Sequence, residues 1–156
     1  MKPFAIAEIK PALQSLPIKQ LKELCLQLAK YKVDNKEYLG FLLFESNDIP
    51  GFVEKVKMNI DEQFEELPKA NWYLTKKSLR KILRGITKYS RYTGPGEPAI
   101  EMLMHFCKQL NQSGMPFREQ PAFVKIYEQQ LKKINTQIAS LHEDLQFDYH
   151  KQLRQL

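Results

Sequence analysis

Glu101 and His105 stand four residues apart in a stretch of apolar, helix-forming residues, a spacing that sets a carboxylate and an imidazole on one helix face. That pair is the beginning of a metal site or of an acid-base site, and either chemistry needs a third group. Cys107 does not supply it, because two residues beyond His105 it is turned about 200° round the helix. His142 and His150 lie eight residues apart near the end of the sequence, and both read as exposed side chains with no further ligand beside them. The chain has no glycine-rich phosphate loop, no nucleophile elbow and no carboxylate pair in an apolar setting that would separate two pKa values. The expectation is a non-catalytic protein without metal or cofactor, in which His105 is a packing residue. An enzyme would require a pocket joining His105, Glu101 and a third polar group.

A second group of residues has a clearer pattern. Between Thr75 and Thr93 the chain places Lys76, Lys77, Arg80, Lys81, Arg84, Lys88 and Arg91 with no acidic residue among them. The whole sequence has 24 basic and 18 acidic residues, and without these seven the balance would be 17 to 18, so the positive excess belongs to this one segment. At about 100° per residue, Lys77, Arg80, Lys81, Arg84, Lys88 and Arg91 fall within an arc of roughly 100°, while Leu79, Ile82, Leu83 and Ile86 take the opposite side. Such a stripe can follow the phosphates of a nucleic acid or the acidic face of a protein partner. Trp72, Tyr73, Tyr89 and Tyr92 near its ends are of the type that stacks on single-stranded bases. No zinc spacing, basic zipper or helix-turn-helix pair accompanies them, so an acidic protein partner is preferred and nucleic acid is the alternative. The competing view is a solvated face, or one neutralised by Glu62 and Glu66 from the preceding helix.

The elements that must carry these residues are helices, because glycine and proline punctuate segments whose apolar residues recur every three or four positions. A first helix is expected near Ala5 to Ser15. Pro17 opens a second, with Leu21, Leu24, Cys25 and Leu28 as its inward stripe, and Asp34-Asn35 caps a third. The run Tyr38, Leu39, Phe41, Leu42, Leu43 and Phe44 reads as core. Asn47 or Asp48 with Pro50 starts a fourth helix whose inner face is Phe52, Val53, Val56, Ile60, Phe64 and Leu67, with Glu54, Asp61 and Glu65 turned to solvent. Thr75 is expected to cap the basic helix, and Gly94-Pro95-Gly96 to end it. The helix entered at Pro98 is apolar nearly all round and reads as the centre of the packing, with Cys107 inside it. From Pro121, a seam of Val124, Tyr127, Leu131, Ile134, Ile138, Leu141 and Leu145 keeps a heptad rhythm, suited to packing at home or to a homodimer through the C-terminal helix. The segment either runs unbroken to Leu156 or breaks at Ser140, where Ser140 and Glu143 have the form of a capping box.

Two cysteines in apolar surroundings suggest reduced thiols rather than a disulfide framework, and the interrupted apolar opening is not a signal-peptide core, so a cytoplasmic, membrane-free protein is expected. The run Leu16-Pro17-Ile18-Lys19-Gln20-Leu21-Lys22-Glu23-Leu24, with Asn35-Lys36-Glu37-Tyr38-Leu39 and Leu74 to Ile82, resembles small, uncharacterised all-helical proteins of bacteria over about the first two-thirds of the chain. That resemblance implies a helical fold and no site residue. Residues 1–156 are therefore read as one all-α domain, an irregular bundle of six to eight helices that could curl into a superhelix-like arrangement.

Overall fold

The computed structural model describes residues 2–156, which form eight α-helices and, among the described residues, no strand. The chain divides into two compact units, residues 1–44 and 45–156.

The first unit holds α1 (Ile6–Gln14), α2 (Ile18–Tyr31) and α3 (Val33–Gly40) and ends in a π-helical turn, Phe41–Glu45, whose last residue belongs to the second unit. Pro17 precedes α2 as predicted. The cap of α3 differs from the expectation: Lys32 occupies the N-cap position, and Asn35 reaches back to donate from Nδ2 to the Leu28 carbonyl at 2.8 Å. That carbonyl needs a side-chain donor because Lys32 leaves helical geometry just where the next turn of α2 would have supplied one.

The core expected here is not formed. Phe41 is buried, but Leu42, Leu43 and Phe44 are 46%, 59% and 80% exposed, and none of α1, α2 and α3 has a fully buried residue. Leu24 and Leu28 of the α2 stripe are exposed too, and so is Cys25. The amphipathic pattern is present as read, but three helices of 9, 14 and 8 residues are too short to enclose an interior of their own.

The second unit holds α4 (Ile49–Glu65), α5 (Trp72–Thr93), α6 (Glu97–Gln112), a 3₁₀ turn at Phe117–Glu119, α7 (Pro121–Ile138) and α8 (Glu143–Leu153). Asp48 caps α4 by accepting from the Gly51 amide at 2.9 Å, and a Cβ at Gly51 would lie 2.1 Å from the Asp48 carboxylate, so any other residue there would require that side chain to turn. Every predicted inner residue of α4 from Phe52 to Leu67 is buried.

Helix α6 is the centre of the packing, against α4, α5 and α7. Its Ile100, Met102, Phe106, Cys107 and Leu110 are fully enclosed, and Phe106 meets Phe64 of α4 edge-on, with ring centroids 5.4 Å apart. From α7, Phe123, Ile134 and Ile138 complete the interior. Burying each such side chain contributes about 1.5–3 kcal/mol.

Helix α5 begins one turn earlier than Thr75. Asn71 is the cap, accepting from the Leu74 amide at 3.1 Å, and Thr75 is buried inside the first turn, donating to the carbonyls of Pro68 and Asn71. The hydroxyl that looked like a cap is a back-bonded core residue. Gly94 ends the helix at φ +82°, a backbone region that favours glycine.

The C-terminal segment is broken rather than continuous. α7 stops at Ile138, and α8 restarts at Glu143 under a cap from His142, whose Nδ1 accepts from the Asp144 amide, not from Ser140. Ser140 instead donates to the Gln137 carbonyl, closing α7. Of the heptad seam, Tyr127, Ile134 and Ile138 are buried within their own unit.

Candidate functional site

On α5, five of the six stripe residues are exposed and Lys88 is half-buried. The buried residues Thr75, Leu79, Ile82 and Ile86 anchor one side of the helix, which leaves Lys77, Arg80, Lys81, Arg84 and Arg91 exposed on the other. At about 1.5 Å per residue, Lys77 to Arg91 covers roughly 21 Å along the axis. Lys88 is half-buried, its ammonium 5.1 Å above the centre of the Tyr89 ring. Among the described residues, Lys77, Arg80, Lys81, Arg84 and Arg91 form no ion pair, and Glu62 and Glu66 do not reach them. Neutralisation by Glu62 and Glu66 is thus absent at these five residues.

The aromatic residues near the stripe are largely committed to packing. Tyr89 meets Phe52 edge-on at 5.8 Å and Tyr92 at 5.9 Å, and Trp72 lies 5.4 Å from Phe123. Tyr73 alone of the four is widely exposed, at 76%. A row of open stacking platforms beside the cations is missing.

A second polar group emerges at α6. Glu101 and His105 do share a face, as their spacing requires, but each reaches across to α4 rather than to the other. Lys57 places its ammonium 2.7 Å from both Glu54 and Glu101, and Asp61 meets Nε2 of His105 at 2.5 Å. Asp61, expected in solvent, is therefore half-buried in an interhelical pair. Burial alone would push the Lys57 ammonium down, but Glu101 and Glu54 outweigh it and hold the group above its ordinary value. The same contact holds Glu54 below the usual carboxylate range.

Tyr149 of α8 closes the group by donating its hydroxyl to Glu97 at 3.1 Å; burial first, then the neighbouring carboxylates, push its phenol well above the ordinary value. Lys57, Glu101, His105 and Tyr149 line a cleft of about 600 Å³ between α4, α6 and α8. The pocket that an enzyme reading would have required, with His105, Glu101 and further polar groups, is thus present in the fold. Cys107 is elsewhere, buried in the core, where desolvation pushes its thiol up to about 12. Among the described residues, no group of three or more His, Cys, Asp or Glu side chains is placed to hold a metal ion, and no helix is long and apolar enough to cross a membrane.

No family model, curated protein or solved structure matches this chain. The arrangement of its own side chains is therefore what any functional reading rests on.

Lys57, Asp61 and Tyr149 were missed as functional residues by the sequence reading. A usable signal existed for the first two: Lys57 and Asp61 repeat the four-residue spacing of Glu101 and His105 with complementary charge. His142 caps α8 in an exposed position and His150 is half-buried, and neither lies in the cleft wall.

Proposed function

We propose that the chain is a cytoplasmic, non-catalytic binding protein that docks an acidic protein surface on the basic face of α5. The observation that carries this reading is the exposed row of Lys77, Arg80, Lys81, Arg84 and Arg91, with no carboxylate paired to any of them among the described residues. Like charges held this close repel one another, and an acidic partner would relieve that repulsion on binding. The packing of Tyr89, Tyr92 and Trp72 into the fold favours a protein surface over a single strand that stacks its bases. The unpaired thiols Cys25 and Cys107 suit a reducing compartment.

The test is a fluorescence titration of the full chain with labelled polyglutamate and with single- and double-stranded oligonucleotides, each at low and high salt. The expected result is saturable, salt-dependent binding that prefers polyglutamate and is lost in the combined variant Arg80→Ala, Arg84→Ala and Lys88→Ala. Preference for an oligonucleotide would transfer the face to nucleic acid. Equal binding by the variant would remove the stripe from the account.

A further inference from the structure

The cleft between α4, α6 and α8 is independent of the basic face, and its groups divide into two kinds. On one side are groups fixed by carboxylates: Lys57 by Glu54 and Glu101, His105 by Asp61, and Tyr149 by Glu97. On the other are side chains that make no hydrogen bond or ion pair among the described residues: Lys108, Gln112, Gln152 and Gln155. The carboxylates around the cleft are thus already engaged by the protein's own donors, while an ammonium and three primary amides stay open to it.

We infer that this cleft binds a small hydroxylated oxyanion, of the chemical class of a sugar phosphate. A volume of about 600 Å³ lies inside the range of small-molecule sites, roughly 300–1,000 Å³, and exceeds what a bare inorganic anion fills. The anionic end is recognised by Lys108, with His105 beside it three positions earlier on the same face of α6. The hydroxyls are recognised by Gln112 and Gln152, since a primary amide both donates and accepts as a hydroxyl does. Glu101 and Asp61 serve the site indirectly by holding Lys57 and His105 in place, so that less freedom is lost when a ligand arrives.

The experiment uses the full-length chain, labelled with ¹⁵N, and titrates it with ribose 5-phosphate, inorganic phosphate and ribose separately. Ribose 5-phosphate is expected to give saturable shifts at Lys108, His105, Gln112 and Gln152, and to bind at least tenfold more tightly than either fragment. Lys108→Gln changes an exposed side chain without touching the core and is expected to weaken binding about tenfold, the scale of one charge-assisted hydrogen bond. Gln152→Ala should weaken it as well, whereas Arg80→Ala with Arg84→Ala on α5 should leave it unchanged. Ribose binding as tightly as its phosphate would overturn the assignment of an anion site, and inorganic phosphate binding as tightly would overturn the hydroxyl site. Shifts confined to α5, no saturable shift at all, or full affinity in Lys108→Gln would overturn the proposal altogether, without bearing on polyglutamate binding by the basic face.

Discussion

Arg84 sits at the middle of the α5 face, and its replacement by glutamine isolates what the crowding of charge costs the fold. Arg80 and Lys81 lie four and three residues before it and Lys88 four residues after it. Each like-charge pair at such spacing destabilises a helix by about 0.2–0.5 kcal/mol at low salt. Three pairs give about 0.6–1.5 kcal/mol, and the lower half of that range is the better expectation because Lys88 leans over the Tyr89 ring. Arginine and glutamine have nearly the same helix propensity, so the substitution leaves the backbone preference intact. Arg84 also has no ion pair among the described residues for the variant to lose. Urea unfolding followed by circular dichroism at about 10 mM salt should therefore show Arg84→Gln to be more stable than the parent. The gain should fade near 1 M salt, where the screening length has fallen from about 30 Å to about 3 Å. Arg84→Glu turns repulsion into attraction and should gain more. A variant less stable than the parent at low salt, or a gain that ignores salt, would refute the account of the stripe as a self-repelling surface.

Thiol chemistry and backbone geometry give further checks. A thiol reagent should modify exposed Cys25 at once and Cys107 only as fast as the core opens; two fast thiols would contradict the burial of Cys107. Because burial raises the Cys107 thiol to about 12 from an unfolded value near 8.5, its contribution is complete below about pH 8.5 and is lost as pH rises toward 12. Cys107→Val should flatten that part of the alkaline stability profile measured by urea unfolding, and an unchanged slope would assign the loss to other groups. Gly94→Ala should cost about 1–3 kcal/mol in the same assay, since its φ of +82° excludes an unstrained side chain; a neutral outcome would mean the turn re-forms in another conformation.

Much of the architecture was legible because single-element signals suffice for it. The inner face of α4, the apolar circumference of α6 and the stop at Gly94 follow from periodicity and punctuation within one helix each. The orientation of the basic stripe was legible for the same reason, since Leu79, Ile82 and Ile86 determine which side turns outward. What escaped depends on two elements at once. Asp61 looked like a solvated carboxylate on its own helix and finds His105 only when α4 lies beside α6, 44 positions along the chain. The apolar run at Leu42 to Phe44 misled in the opposite sense: hydrophobic residue types identify a surface able to be buried, while enclosure needs neighbours that three short helices do not provide. Thr75 failed for a local reason, because one residue type serves both as a cap and as a back-bonded core position.

The order of charge along the α4 and α6 seam has a further consequence. Lys57 faces Glu101 and, one turn on, Asp61 faces His105, so the two rungs have opposite polarity and the same separation of 44 residues. Equal separation means that the helices run in the same direction at this seam. Opposite polarity means that they do not slide freely past one another. Displacing α6 by one turn in one direction sets Asp61 against Glu101, two carboxylates, although it brings Glu97 to Lys57 and His105 to Glu65; in the other it sets Lys57 against His105 and strands Glu101. Stranding a half-buried charge is more costly than pairing it was favourable. The four side chains thereby favour one alignment of the two helices and add charge pairing to the fit of Ile60, Phe64 and Phe106.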